Sequence, residues 1–156
     1  MMSFKKQALE LFACQYQHND VYRSYCDLIN ITPSDVQKLT EIPYLPIELF
    51  KSHRISCTET TEMIFESSGT GGAVSQHHVA SLEGYKQSFN AGFSHFYGAP
   101  SEYHILALLP GYLERPNASL VYMCQDLIRQ AKQVHSGFYL DQFEALQTAL
   151  TTLNQN

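Results

Sequence analysis

The stretch that decides the fold is Met63-Ile64-Phe65-Glu66-Ser67-Ser68-Gly69-Thr70-Gly71-Gly72-Ala73-Val74-Ser75. Met63-Ile64-Phe65 is a short apolar run of the kind that forms a buried strand. The loop it delivers has glycine at 69, 71 and 72, which frees the backbone to wrap an anion and aim several N–H groups at it. Ser67, Ser68 and Thr70 add hydroxyl donors to the same space. No Lys follows the glycines, so this is not the GxxxxGK[ST] loop, and the spacing is not GxGxxG. On the residues alone, two readings stand: a phosphate cradle at the end of a strand, and a surface turn between two strands.

Upstream of this stretch the pattern is helical. Phe4, Ala8, Leu11 and Phe12 share one face at helical spacing, as do Val21, Tyr25, Leu28 and Ile29. Thr32-Pro33-Ser34-Asp35 announces a third, short helix, with Thr32 as cap, Pro33 at the first position and Asp35 returning a capping-box bond. Ile42-Pro43-Tyr44-Leu45-Pro46 breaks the pattern, because each proline pushes its predecessor into an extended conformation. Beyond that joint, Arg54–Cys57 and Glu62–Glu66 read as strands, and His77-His78-Val79 reads as extended after the loop.

Downstream, Ser81 opens a helix with the aromatic stripe Tyr85, Phe89, Phe93 and Phe96 or Tyr97, ended by Gly98 and Pro100. Such a stripe reads as packing. Tyr103–Leu109 reads as a buried strand stopped by Pro110-Gly111. A helix follows over Ser119–Ala131 with Leu120, Cys124, Leu127, Ile128 and Ala131 on one side. Gly137–Leu140 is strand-like, and Asp141 with Glu144 caps a last helix that turns Phe143, Leu146, Leu150 and Leu153 inward. Strands alternating with helices imply an α/β fold: a helical N-terminal segment, then a mainly parallel sheet flanked by helices, with Met63–Phe65 and Tyr103–Leu109 as neighbours or near-neighbours. A chain that stops on an amphipathic helix, where such a sheet wants another strand, reads as a portion of a longer protein. Its uncovered apolar edge is expected to drive self-association.

At 156 residues the chain suits one domain with a real core. Hydrophobic residues at 44% and charged residues at 16% exclude a disordered chain. The net charge of −5, with no Lys/Arg cluster, argues against a nucleic-acid partner. Cys14, Cys26, Cys57 and Cys124 form no CxxC pair and read as small core residues in a reducing, cytoplasmic protein. The first eleven residues contain no continuous apolar run, so they read as neither a signal peptide nor a membrane span.

Ser67-Ser68-Gly69-Thr70-Gly71-Gly72 resembles the SSGTTG phosphate loop of the adenylate-forming superfamily, which includes acyl-CoA synthetases and phenylacetate-CoA ligases. More narrowly, Ile42-Pro43-Tyr44-Leu45-Pro46-Ile47, Ser75, His77, Leu108–Arg115 and Ser136-Gly137-Phe138-Tyr139 are similar to the acyl-protein synthetase (LuxE) family. The second threonine of the loop is Gly71 here, the usual following proline and lysine are missing, and Gln76 stands where a basic residue is expected.

The resemblance implies ATP as cosubstrate, with Mg²⁺ bound through its phosphates, and Ser67, Ser68, Gly69, Thr70, Gly71 and Gly72 as the phosphate-holding residues. It implies activation of a carboxylic acid, such as a fatty acid, as an acyl-adenylate, followed by acyl transfer to a thiol or amine acceptor. It further implies an organisation of 1–41 as a helical segment and 42–156 as a partial α/β ATP-binding domain, the two forming one structural unit truncated at its C-terminal end. That unit would belong to the large N-terminal domain of an adenylate-forming enzyme. The adenine loop, the ribose-binding acid, the catalytic lysine and the acyl-accepting cysteine are expected beyond Asn156, so these residues alone are expected to be inactive.

Pro110–Arg115 follows the carboxyl end of an expected parallel strand, where open α/β sheets place ligands. Tyr112 there can line an acyl pocket and Arg115 can meet a carboxylate or phosphate; the other reading is a surface turn with a solvated Glu114-Arg115 pair. His77 and His78 are adjacent on a strand and point to opposite faces, so they do not share a metal. Ser75 and His77 have no acidic partner in the sequence and read as supports of the loop rather than nucleophile and base. The alternative to an acyl-activating enzyme is a non-catalytic α/β module that binds a nucleotide or phosphate, or supplies an assembly interface.

Overall fold

A computed structural model describes residues 3–68, 73–109 and 117–155. The chain divides into two compact units, Met1–Ala80 and Ser81–Asn156.

The N-terminal unit begins with α1 (Phe4–His18) and α2 (Asp20–Leu28), joined through Asn19. Asn19 is the cap of α2: its side-chain oxygen accepts from the Tyr22 amide at 3.1 Å, which satisfies one of the orphan donors of the first turn. Helix α2 turns back against α1 and centres the core on Phe12, Tyr22, Cys26 and Val36. The Phe12 and Tyr22 rings meet edge to face at 6.0 Å, the arrangement their quadrupoles favour. Tyr22 also donates its hydroxyl to the Pro43 carbonyl at 2.6 Å, which holds the proline-rich joint on the helices.

The expected stripes are only partly buried. Phe12 is in the core, but Phe4 is 74% exposed and Leu11 is 59% exposed. On α2 the buried pair is Tyr22 and Cys26 rather than the Val21/Tyr25/Leu28 face, one residue around the helix. Periodicity identifies a helix but does not say which of two adjacent apolar stripes meets the neighbour. The third helix is replaced by a turn. Only the return half of the capping box is present: the Thr32 amide donates to the Asp35 carboxylate at 2.9 Å, but the Thr32 hydroxyl also donates to that carboxylate, at 2.6 Å, instead of accepting from the Asp35 amide, and no helix propagates.

Short 3-10 turns follow at Leu39–Glu41 and Ile47–Lys51. Arg54–Cys57, expected as a strand, is irregular. The Arg54 guanidinium donates to the carbonyls of Thr58 and Glu59 and to the Thr61 hydroxyl, gathering the segment into a loop instead of a ladder. Strands β1 (Met63–Glu66) and β2 (Gln76–Val79) then pair antiparallel, with Phe65 and Val79 buried.

In the C-terminal unit, the Ser81 hydroxyl oxygen accepts from the Gly84 amide at 3.1 Å and caps α3 (Leu82–Tyr97). The helix stops at Gly98, whose φ of 87° and ψ of −156° lie in a region essentially reserved for glycine. Along α3 the aromatic stripe packs ring against ring, Tyr85 meeting Phe89 and Tyr122 and Phe93 meeting Tyr97 and Tyr103, but none of its residues is fully buried and Phe96 and Tyr97 are 78% and 60% exposed. Strand β3 (Leu106–Ala107), α4 (Ser119–Ala131) and β4 (Gly137–Phe138) follow, with β3 and β4 parallel. The last helix, α5 (Phe143–Asn154), begins at Gln142 with no side-chain cap bond, and of its inward set Phe143 remains 65% exposed.

The α/β character holds, but the mainly parallel sheet does not. The described strands form two separate two-stranded sheets, β1-β2 antiparallel and β3-β4 parallel. Connection length explains the difference. Residues 67–75 are too few for the crossover that parallel strands need, roughly a dozen residues or more, whereas β3 and β4 have α4 between them.

Candidate phosphate-binding loop

The candidate site is built on the β1-β2 hairpin. Phe65, 3% exposed, anchors β1 in the interior and leaves the next residues projecting beyond the paired strands. At the end of the ladder Glu66 faces Gln76, and the Gln76 side-chain amide donates to the Glu66 carboxylate at 3.1 Å. One step further, the Ser67 amide donates to the Ser75 carbonyl at 3.0 Å, and the Ser75 amide donates to the Ser67 hydroxyl oxygen at 3.0 Å. These bonds close the neck of the loop and bring its two ends together. A hydroxyl that accepts the Ser75 amide keeps its own O–H available to donate.

Of the six expected phosphate-holding residues, Ser67 forms the neck and Ser68 is exposed just beyond it. Gly69, Thr70, Gly71 and Gly72 lie outside the described residues, as do Tyr112 and Arg115. Behind the neck, His77 is exposed and its ring meets Phe50 edge to face at 6.3 Å, while His78 is half-buried with Nδ1 3.5 Å from the Thr61 hydroxyl. The two imidazoles therefore serve different surroundings.

The thiols divide by burial. Cys26 is fully buried, and burial pushes its pKa up; burial does the same to Cys57 and Cys124. A raised pKa starves a thiol of nucleophilic thiolate, so these three read as packing residues. Cys14, expected in the core, is exposed.

One polar cluster escaped the sequence reading. Asp126, 5% exposed, lies on α4 beside the buried Leu127. It accepts from Asn90 at 3.0 Å and from Gln130 at 2.6 Å, lies 3.2 Å from the Lys86 ammonium, and pairs with Arg129. Burial pushes the Asp126 pKa up, but the bonds from Asn90, Lys86 and Gln130 outweigh it and hold the carboxyl below its usual range. Lys86 and Asn90, one turn apart on α3, meet Asp126 on α4, a contact between two helices that the local sequence does not announce.

The acyl-protein synthetase family, LuxE, matches residues 2–123. The chain belongs to the acyl-protein synthetase (LuxE) family. No curated protein and no solved structure matches it. The LuxE match takes in all of the N-terminal unit but Met1, including the hairpin and its loop, and continues into the start of α4. Strand β4 and α5 lie outside it. Among the described residues, no helix of this acyl-protein synthetase family member is long and apolar enough to cross a membrane.

Proposed function

We propose that this chain supplies the phosphate-holding loop of an ATP-dependent acyl-activating enzyme. In the reaction, a carboxylate oxygen attacks the α-phosphorus of ATP, the bond to the bridging oxygen breaks, and pyrophosphate leaves. The acyl group of the resulting adenylate then passes to a thiol or amine of an acceptor, with AMP released. Ser67, Ser68, Gly69, Thr70, Gly71 and Gly72 hold the β- and γ-phosphates and steer the departing pyrophosphate. The observation that carries this reading is the neck formed by Ser67 and Ser75, which joins both ends of a glycine- and hydroxyl-rich loop at the end of the β1-β2 ladder.

The donor set suits phosphate oxygens: Ser67 and Ser68 add hydroxyls to the backbone N–H groups that a glycine-rich loop can offer. The loop itself carries no cation. Mg²⁺ bound through the phosphates would supply the missing charge neutralisation. Four free thiols, three of them at least partly buried, fit a reducing cytoplasmic setting.

The test is carboxylate-dependent exchange of pyrophosphate into ATP by the enzyme carrying this loop. A side chain at Gly71 crowds the anion, so Gly71→Val is expected to lower exchange about a hundredfold, the scale of losing an oxyanion donor. Thr70→Ser, which keeps the hydroxyl, is expected to be mild. Undiminished exchange in a folded Gly71→Val enzyme removes the loop from the mechanism.

A further inference from the structure

His104 and His135 stand side by side where the β3-β4 sheet begins. Leu106 pairs with Gly137 in parallel register, so each histidine lies two residues ahead of the first paired position on its own segment. Their ring centres are 5.9 Å apart, with the planes tilted by 45°.

The surrounding bonds hold this approach in place. Ile105 and Ser136, the residues that follow the two histidines, are joined directly: the Ile105 amide donates to the Ser136 hydroxyl at 3.0 Å. The Gly137 amide donates to the Ile105 carbonyl at 3.0 Å and continues the tie into the sheet. On the other side, the Gln133 side chain donates to the Ser101 carbonyl at 2.9 Å. The His135 carbonyl itself accepts from the Tyr139 hydroxyl at 2.8 Å. Both backbones are thus fixed on either side of the pair, and little ordering is left for a ligand to impose.

A ring nitrogen binds zinc at about 2.0–2.1 Å, which puts the centres of two imidazoles on one ion roughly 5–6 Å apart. The His104 and His135 rings already have that spacing. The donors name the class of ion. Imidazole nitrogens suit zinc, copper and nickel, whereas Mg²⁺ and Ca²⁺ take oxygen ligands. Among the described residues, no group of three or more His, Cys, Asp and Glu side chains could hold a metal. The pair therefore supplies two ligands and leaves the other positions to water, which makes an open, exchangeable site. His104 is exposed, so an ion reaches it from solvent. We infer that His104 and His135 form a divalent transition-metal site that clips β3 to β4. The site is separate from any Mg²⁺ carried on ATP phosphates and does not depend on the acyl-activating reading.

The experiment is a titration of the chain with zinc chloride, followed by calorimetry and by the histidine ring signals in NMR. It uses a Cys14→Ser background, which removes the exposed thiol. Zinc is expected to bind at one site, to move the His104 and His135 ring signals together, and to raise the urea midpoint, because the folded sheet alone brings the two rings together. His104→Gln and His135→Gln are each expected to weaken binding by at least about tenfold and to abolish the gain in midpoint. Without zinc, the urea midpoint of each variant should match the parent, which separates lost ligation from lost folding. His53→Gln, at an exposed histidine on another segment, should bind as the parent does. Excess Mg²⁺ should not displace the zinc. Absence of zinc binding, binding that survives either substitution at His104 or His135, shifts centred on other histidines, or displacement by Mg²⁺ overturns the proposal.

Discussion

The Ser67 amide and the Ser75 carbonyl are 3.0 Å apart across the mouth of the glycine loop, and the Ser75 amide returns a bond of the same length to the Ser67 hydroxyl. This reciprocal pair continues the β1-β2 ladder by one step with a backbone bond and a side-chain bond. It holds Ser67 and Ser75 together, so on the proposed reading less freedom would be lost at these two residues when a phosphate binds.

Ser67→Ala removes the side-chain half of the clasp and keeps the backbone half. The bond is exposed, so stability is expected to fall by no more than about 1 kcal/mol in urea denaturation. ATP affinity is expected to fall further, because a looser neck must be ordered on binding. Equal ATP affinity in the two proteins would show that the clasp does not preorganise the loop.

Tyr22→Phe tests the joint between the helices and the proline-rich segment. Burial raises the Tyr22 pKa well above its ordinary value, so the hydroxyl remains a donor to Pro43. Its removal leaves the buried Pro43 carbonyl unpaired and is expected to cost about 1–3 kcal/mol. An unchanged urea midpoint would contradict this.

Asp126→Asn removes the charge around which Lys86, Asn90, Gln130 and Arg129 are arranged. At neutral pH the loss is expected to be about 1–3 kcal/mol, the range for bonds to a charged group. The folded-state pKa is depressed, so the unfolded chain binds the proton first as pH falls. The Asp126 contribution is therefore present above the ordinary carboxylate range and is lost as pH drops through the folded value, below about pH 4. Parent and variant stabilities should converge there; a constant gap down to acid unfolding would contradict the assignment.

Much of this organisation is legible in the residues. Ser81 and Gly98 mark the ends of α3 because a hydroxyl cap and a glycine stop are chemical requirements of a helix terminus. Helix α4 spans Ser119–Ala131 as its apolar spacing predicts. The loop composition singles out Ser67–Gly72, and strands lie on either side of it where the apolar run Met63–Phe65 and the extended His77–Val79 put them. The pairing direction was also available, since residues 67–75 permit a hairpin and not a crossover. The face of α1 that is buried was not, because Phe4, Leu11 and Phe12 have equal claims until α2 chooses Phe12. The Asp126 cluster depends on α3 meeting α4, a long-range contact that no local pattern encodes.

The most direct test of the phosphate-loop assignment is ATP binding followed by amide NMR. Mg²⁺-ATP titrated into the ¹⁵N-labelled chain is expected to shift the amides of Ser67, Ser68 and Ser75, with inorganic pyrophosphate competing for the same signals and Gly71→Val abolishing the shifts. Shifts that leave the Ser67–Ser75 loop untouched, or that persist unchanged in Gly71→Val, would contradict the assignment.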